Sequence, residues 1–337
     1  MATKRDSAID FLRATAILAM IVIHVISNDF GSALINEIWN FLHFAVVFFI
    51  FCSGYVWYLK YKDTQWNVRA FASWLHKRTF RLLPAYYGFT ALHYALWYLF
   101  PSAFSGLGIE KSLHFILASV LLVGVDYGWL PLLFLELAAV SPLVLFLYRK
   151  RTTRYVMTAV LAASAALFFF RVPRIDYRLI MWLPWSLILV LSFYLSDMKR
   201  QHSHAVTLIG AGLFSAVIFI AGTAYLLNTH AGLTLTQHKY PPDLWYFSYG
   251  IAIGAALLPF AGTRILKNAL VIPVMSWIST NSYPLFFLHY LVMDALLTLE
   301  RRHGLMLSQA AQSAFVIAVS LGLFRLYDLF RQRKSAP

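Results

Sequence analysis

Residues 8–28 read AIDFLRATAILAMIVIHVISN. The run has the length that crosses a bilayer, roughly 20 residues, and is apolar apart from a few polar side chains, Asp10, Arg13 and His24 among them. Working outward, further apolar stretches fall at 41–60, 80–100, 129–148, 155–171, 178–196, 205–227, 245–261, 270–297 and 308–330. The length and hydropathy rule therefore predicts an all-α integral membrane protein, a bundle of about ten transmembrane helices. Composition agrees: 60% of the 337 residues are hydrophobic and 12% are charged, against about a quarter charged in a soluble domain. Little chain is left over, so 1–337 is expected to form a single transmembrane domain.

The ninth stretch contains Pro273 and Pro284 with Asn281-Ser282 between them. It is expected to break there, because irregular backbone at membrane depth is tolerated where protein covers it. Residues 112–123 are apolar but too short to cross and suit an interfacial helix. The first run is long and no small-residue cleavage site follows it, so it reads as an uncleaved span. Cys52 rules out an intrachain disulfide, being the one cysteine, and sits in an apolar run as a small core residue.

With the amino terminus inside, twenty of the 28 basic residues fall in inner segments and seven in outer loops, with Arg13 inside the first span. This asymmetry places both termini in the cytoplasm. It also accounts for most of the +14 net charge without a nucleic-acid partner. The expected location is a bacterial inner membrane, with lipid as the surrounding partner. The longest polar stretch on the outer face is 228–244, NTHAGLTLTQHKYPPDL.

Ionisable groups inside a membrane are costly and mark sites or pathways. Arg13 and His24 are eleven residues apart, nearly three helical turns, which puts them on one face about 16 Å apart along the axis. Asp10, three residues before Arg13, can hold its guanidinium. An imidazole can take a proton from a hydroxyl near neutral pH, and an arginine can hold a negative group of a long donor. The bland alternative is that Arg13 snorkels to headgroups and His24 bonds a neighbouring helix. Lys77, Arg78 and Arg81 lie at the inner start of the third span. Arg78 and Arg81 can share a face and clamp phosphates, or they can serve as inner-face anchors. Glu136 in the fourth span needs a bundle partner, Arg178 or a histidine. His43, Tyr283, His289 and Asp294 are further polar candidates. His202-Ser203-His204 lacks the further ligands of a metal site, and no metal is expected. Trp129, Trp182, Trp185 and Trp245 suit interface belts.

Together these residues resemble the acyltransferase family 3 membrane proteins. The carriers are Ile9-Asp10-Phe11-Leu12-Arg13 through His24, an arginine and histidine with ten residues between them. Next come Phe48-Phe49 through Ser53-Gly54-Tyr55, then Lys77-Arg78-Thr79-Phe80-Arg81 with Pro84. Trp129 with Pro142, and Ser282-Tyr283 through Leu288-His289, complete the order. The resemblance runs from about residue 6 to 330. It implies transfer of an acyl group, often acetyl, from cytoplasmic acetyl-CoA to a hydroxyl of a surface or exported carbohydrate or glycolipid. It makes His24 the catalytic residue, as base or acyl carrier, with Arg13 as companion. Arg78, Arg81 and Lys77 become contacts for the CoA phosphates, and His289 a cavity residue. Beside the resemblance, Asp10, His289, Tyr283 and Glu136 are taken as supporting residues from their place in or next to the expected spans.

The chain departs from the pattern after Trp129. A Ser-Leu-x-x-Glu sequence is common there, but this chain reads Leu130-Pro131-Leu132-Leu133-Phe134, so the family's acid is not carried over to Glu136. The fused soluble domain of some members is also absent from the pattern read here. Competing classes are a glycan or lipid transporter or flippase, which would suit a broken ninth helix, and a bis-histidine haem protein.

Overall fold

The computed structural model describes residues 6–28, 30–102, 110, 112–170, 177–198, 204–262 and 271–334. Lys4, Arg5, Lys111, Arg171, Arg174, Lys199, Arg200, Arg264 and Lys267, counted in the charge asymmetry, lie outside the described residues, as do His202 and Ser203. Among the described residues all regular structure is helical. The α-helices are α1 (Ser7–Ile26), α2 (Ala33–Phe41), α3 (Ala45–Tyr61), α4 (Val68–Leu99), α5 (Leu113–Val120), α6 (Trp129–Arg149) and α7 (Arg151–Phe169). They continue as α8 (Tyr177–Ile180), α9 (Trp182–Met198), α10 (His204–Asn228), α11 (Leu244–Leu257), α12 (Val271–Thr280), α13 (Ser282–His303) and α14 (Gln309–Lys334).

Eight helical segments among the described residues are long and apolar enough to cross a membrane. They overlap eight of the ten expected spans. The stretch 80–100 falls on α4, which begins earlier and carries the basic segment around Arg78. The stretch 178–196 falls mainly on α9, an apolar helix of 17 residues. The expected ninth span is divided at Asn281 into α12 and α13. The short apolar stretch is the eight-residue α5, whose N-cap Ser112 accepts from the Phe115 amide at 3.2 Å. That bond satisfies one of the amides a helix start leaves open.

The chain divides into two compact units. The first holds residues up to Ala16, His43–Thr79 and Leu133–Ile272. Its centre is the packing of α3 on α9 and α10 on α11. A helix interface in lipid gains little from the hydrophobic effect and relies on close approach through small residues. Gly54 of α3 provides it: a Cβ there would collide with the Ser192 hydroxyl and stand 2.9 Å from Leu189 Cδ2 and 3.2 Å from its Cα. Cys52 is buried, its thiol 3.6 Å from the Ile9 carbonyl. Trp185 and Trp245 are buried too rather than belt residues. Trp185 packs edge-on against Tyr246 and Phe247, and Trp245 donates to Thr223 Oγ1 at 3.0 Å.

The polar loop before α11 belongs to this unit and is tightly tied. Asp243 caps α11 by accepting from the Tyr246 amide at 2.9 Å and also binds His238 Nδ1. His238 reaches the Gly232 carbonyl through Nε2 at 3.2 Å and packs on Trp245. Lys239 is drawn under with its neighbours and is 5% exposed. Burial disfavours its charged form and lowers its pKa from 10.5 to about 7.

The second unit holds Ile17–Leu42, Phe80–Leu132 and Pro273 to the carboxyl end. Here α13 packs on α14. Glu300 of α13 accepts two bonds from Gln312 of α14 at 2.9 and 3.1 Å, and Trp277 of α12 donates to Asp328 at 2.8 Å. Aromatic rings from α4, α13 and the turn before α6 interlock: Phe89, Tyr127 and Phe287 have centroids 5.0–6.2 Å apart.

Two outcomes are expected. Gly54→Leu overpacks the α3–α9 contact and costs about 1–3 kcal/mol, whereas Gly210→Leu, with nothing within 4 Å of the new Cβ, leaves the unfolding temperature in detergent near wild type. Between pH 7 and 10.5 the unfolded chain binds the proton that native Lys239 has lost, so wild-type stability rises with pH there. Lys239→Met is therefore more stable than wild type at and below pH 7, by a margin that shrinks toward pH 10.5 in paired thermal melts.

Candidate functional site

His24 stands in the last turn of α1. The helix stops there because side chains satisfy its carbonyls: Ser27 Oγ and Asn28 Nδ2 each donate to the His24 carbonyl at 2.8 Å. Such caps answer the open carbonyls of a helix end. Asn28 Nδ2 also lies 3.2 Å from the Met293 sulfur of α13.

The imidazole of His24 meets α13. Its Nδ1 is 2.8 Å from His289 Nε2, and its Nε2 is 3.1 Å from the Tyr290 hydroxyl. His289 is fully buried, and its Nδ1 is 3.2 Å from the Leu285 carbonyl. The ring planes of His24 and His289 are 7° apart with centroids at 5.0 Å, and those of His24 and Tyr290 are 27° apart with centroids at 4.7 Å. Phe286 closes against both His24 and Tyr290.

Bonding roles set the protons. A carbonyl can only accept, so His289 Nδ1 carries a hydrogen. With one proton on each ring, His289 Nε2 is then bare and accepts from His24 Nδ1–H. That leaves His24 Nε2 bare, and the Tyr290 hydroxyl donates to it. One backbone carbonyl thus assigns the tautomers of two histidines. The result is a basic nitrogen, His24 Nε2, held in place by its neighbours.

A second polar pair lies in the same unit. His93 of α4 and Asp294 of α13 are both buried, with His93 Nε2 3.5 Å from Asp294 Oδ2. Both His93 nitrogens and Asp294 Oδ2 lack a hydrogen-bond partner. Tyr127 packs against both His93 and Tyr290. Asp294 is four residues after Tyr290, so the two share a face of α13.

The remaining expected residues are placed as follows. Tyr283 donates to the Leu82 carbonyl at 3.1 Å and is T-shaped on Phe287. Arg81 is exposed on α4 of this unit. The first unit holds Asp10, Arg13, Lys77, Arg78 and Glu136. Asp10 is buried and Arg13 half-buried on α1, and Lys77 is exposed. The Arg78 guanidinium lies over Trp74 at 4.1 Å, with Trp57 at 5.2 Å and Tyr61 at 5.9 Å. Stacking of this kind holds a guanidinium plane without consuming its fork of donors. Glu136 is half-buried with Oε2 buried and without a hydrogen-bond partner. His43 is buried, its carbonyl accepting from the Tyr246 hydroxyl at 2.8 Å. The first unit also encloses an apolar cavity of about 250 Å³ bordered by Leu12, Phe48, Phe51, Ile188 and Gly250, and no expected site residue lines it. No cluster of three metal-ligating side chains occurs among the described residues.

Sequence reasoning joined His24 to His289 only through a family pattern and missed Tyr290 and His93. His93 carried a usable signal, an ionisable side chain inside an expected span. Tyr290 carried none, since a tyrosine in an aromatic-rich helix is ordinary core.

The acyltransferase family 3 profile, described as an acyltransferase domain, matches residues 6–325. No curated protein and no solved structure matches the chain. A family profile covering nearly the whole length, on a chain of many apolar helices, decides the class: the chain belongs to acyltransferase family 3 and is a multi-pass membrane acyltransferase.

Proposed function

We propose that this chain transfers an acetyl or other short acyl group from cytoplasmic acetyl-CoA to a hydroxyl of a cell-surface or exported glycan or glycolipid. In this reading it is one domain over 1–337, a bundle of about ten spans with both termini in the cytoplasm of a bacterium's inner membrane. The observation that carries the proposal is the His24 imidazole, oriented through Nδ1 by His289 and bonded through Nε2 to the Tyr290 hydroxyl. A base needs a lone pair on one nitrogen and a partner on the other that steadies the positive charge it acquires.

The reaction balances on that nitrogen. The acceptor O–H bond breaks as its proton passes toward His24 Nε2, and the oxygen forms a bond to the thioester carbon. The carbon–sulfur bond breaks, and the thiolate leaves with the proton returned by the imidazolium. An acyl-histidine route, in which Nε2 itself attacks the thioester first, splits the same overall change into two steps. Arg78, whose guanidinium carbon lies over the Trp74 ring, Lys77 and Arg81 take the donor's phosphates, and Arg13 is the companion the family pattern assigns to His24. Asp10, Tyr283 and Glu136 support the arrangement. Tyr283 does so by tying α13 to the Leu82 carbonyl of α4.

The test is acetyl-CoA binding and slow hydrolysis by purified protein in detergent. His24→Ala should retain donor affinity and lose about 10²–10⁴-fold in turnover, the range for a positioned acid–base group. Arg78→Ala should weaken donor binding roughly tenfold or more, as expected for a lost charge-assisted bond. Full turnover in His24→Ala would sink the assignment of the base. Absence of acetyl-CoA binding in all three proteins would point to another acyl donor or, failing that, to a transporter of glycan or lipid intermediates.

A further inference from the structure

The apolar cavity of the first unit is a slot. Along α9 it runs from Ile188 to Met198 and along α11 from Gly250 to Leu258, about 15 Å and about 12 Å at 1.5 Å per residue. It forms because α10 packs on α11 and α3 on α9, while α9 and α10 touch only lightly. Gly250 and Gly254, one turn apart on α11, let α3 come close beneath it. A Cβ at Gly250 would stand 2.6 Å from Val47 Cγ2, and one at Gly254 3.2 Å from Phe48 Cε1.

The floor, with Leu12, Val47, Phe48 and Ile188, is buried. The rim, with Leu191, Leu195, Leu208 and Leu258, is half-buried. The slot therefore opens on the outside of the helices. There α10, a helix long and apolar enough to span, presents Leu213, Val217 and Ile220, all exposed. What lies outside such a face in a bilayer is hydrocarbon. The wall agrees: among the lining residues only Tyr194 and Thr207 carry a side-chain oxygen or nitrogen. The Tyr194 hydroxyl is turned to α7, 3.4 Å from Thr158 Oγ1. An apolar cavity of this kind admits no water and takes an apolar filler. A slot of about 15 Å matches one leaflet of a hydrocarbon core roughly 30 Å thick.

A cation stands near the Met198 end. Arg154, in the first turn of α7, lies over the Tyr148 ring at 4.1 Å and the Tyr194 ring at 5.7 Å. Its Nε donates to the Tyr148 carbonyl at 2.8 Å. Its Nη1 is 4.0 Å from Asp197 Oδ2, too long for a hydrogen bond. Asp197 is instead bonded by the Tyr58 and Tyr148 hydroxyls. Arg154 thus keeps its terminal fork for an oxyanion. Arg149, Lys150 and Arg151 form the adjoining α6–α7 turn, so this end stays positive despite Asp197.

We infer that the slot binds one anionic phospholipid, with an acyl chain between α9, α10 and α11 and its phosphate at Arg154. With the termini inside, the lipid comes from the inner leaflet, where basic segments attract anionic headgroups. The inference is independent of the reading of His24, because no residue assigned to acyl transfer lines the slot.

The test is native mass spectrometry of the purified full chain in detergent, titrated with palmitoyl-oleoyl phosphatidylglycerol. Phosphatidylcholine with the same chains is the comparison. Wild type should hold one phosphatidylglycerol more tightly than any that follow. Leu191→Trp and Ala211→Trp fill the slot from the α9 and α10 walls and should weaken that first lipid about tenfold or more, as loss of a few buried methylenes requires. Val217→Trp, outside the slot, should bind as wild type does. Arg154→Gln should lose about tenfold for phosphatidylglycerol and little for phosphatidylcholine. Added phosphatidylglycerol should raise the unfolding temperature of wild type and Val217→Trp more than that of the slot variants. First-lipid affinity unchanged in Leu191→Trp and Ala211→Trp would overturn the site and leave only lipid of the general shell. Unchanged phosphatidylglycerol affinity in Arg154→Gln would overturn the placement of the phosphate. Displacement of the lipid by equimolar decanoyl-CoA, abolished in the same tryptophan variants, would overturn the lipid and give the slot to a donor's acyl chain. Should the tryptophan variants fail to fold, Ala211→Leu is the second probe, and wild-type affinity there also counts against the site.

Discussion

The hydrocarbon core of a bilayer supplies no hydrogen-bond partner, and this one constraint shapes the chain at every level. Backbone groups left open there cost several kcal/mol each by the usual estimate, so the chain is helical wherever it is buried in lipid. Where a helix must stop, side chains close it. At the α12–α13 break, Thr280 Oγ1 donates to the Ser276 carbonyl at 2.7 Å, Asn281 Nδ2 to Trp277 at 2.9 Å and Ser282 Oγ to Ser279 at 3.1 Å. The same device, with Ser27 and Asn28, ends α1 just beyond His24. Capping thus acts on the carbonyl of the site's own histidine.

The constraint acts on side chains as it does on backbone. A polar side chain that cannot reach water must find another, and His24, His289 and Tyr290 find each other. Around them in the second unit stand the aromatic rings of Phe89, Tyr127, Phe286 and Phe287. A dry aromatic wall lowers the local dielectric, which strengthens each hydrogen bond inside it. It also limits the access of bulk water to the polar side chains it surrounds. Stability and chemistry are therefore served by the same rings. In the first unit the demand differs. There small residues such as Gly54 let helices approach, and the Arg78 guanidinium lies over indole and phenol faces.

Apolar run length and a few out-of-place charges made the class of protein legible from sequence. A span is a local property: roughly 20 consecutive residues decide it, and no distant contact is needed. The break near Asn281 was legible for the same reason, through two prolines and a polar pair. His24 could be singled out because an ionisable residue in such a run is costly whatever surrounds it. His93 follows the same rule and was within reach of it.

Which polar groups meet was decided only by the tertiary structure. His24 and His289 are 265 residues apart, and no periodicity in either helix specifies that their rings touch. The tautomers depend on a carbonyl at Leu285 that is invisible in a string of side chains. Tyr290 meets His24, 266 residues earlier, because the packing of the two helices puts its oxygen 3.1 Å from one imidazole nitrogen. Run length and charge placement are encoded along the chain. Proton order is encoded across it, by helices whose packing brings a donor within about 3 Å of an acceptor.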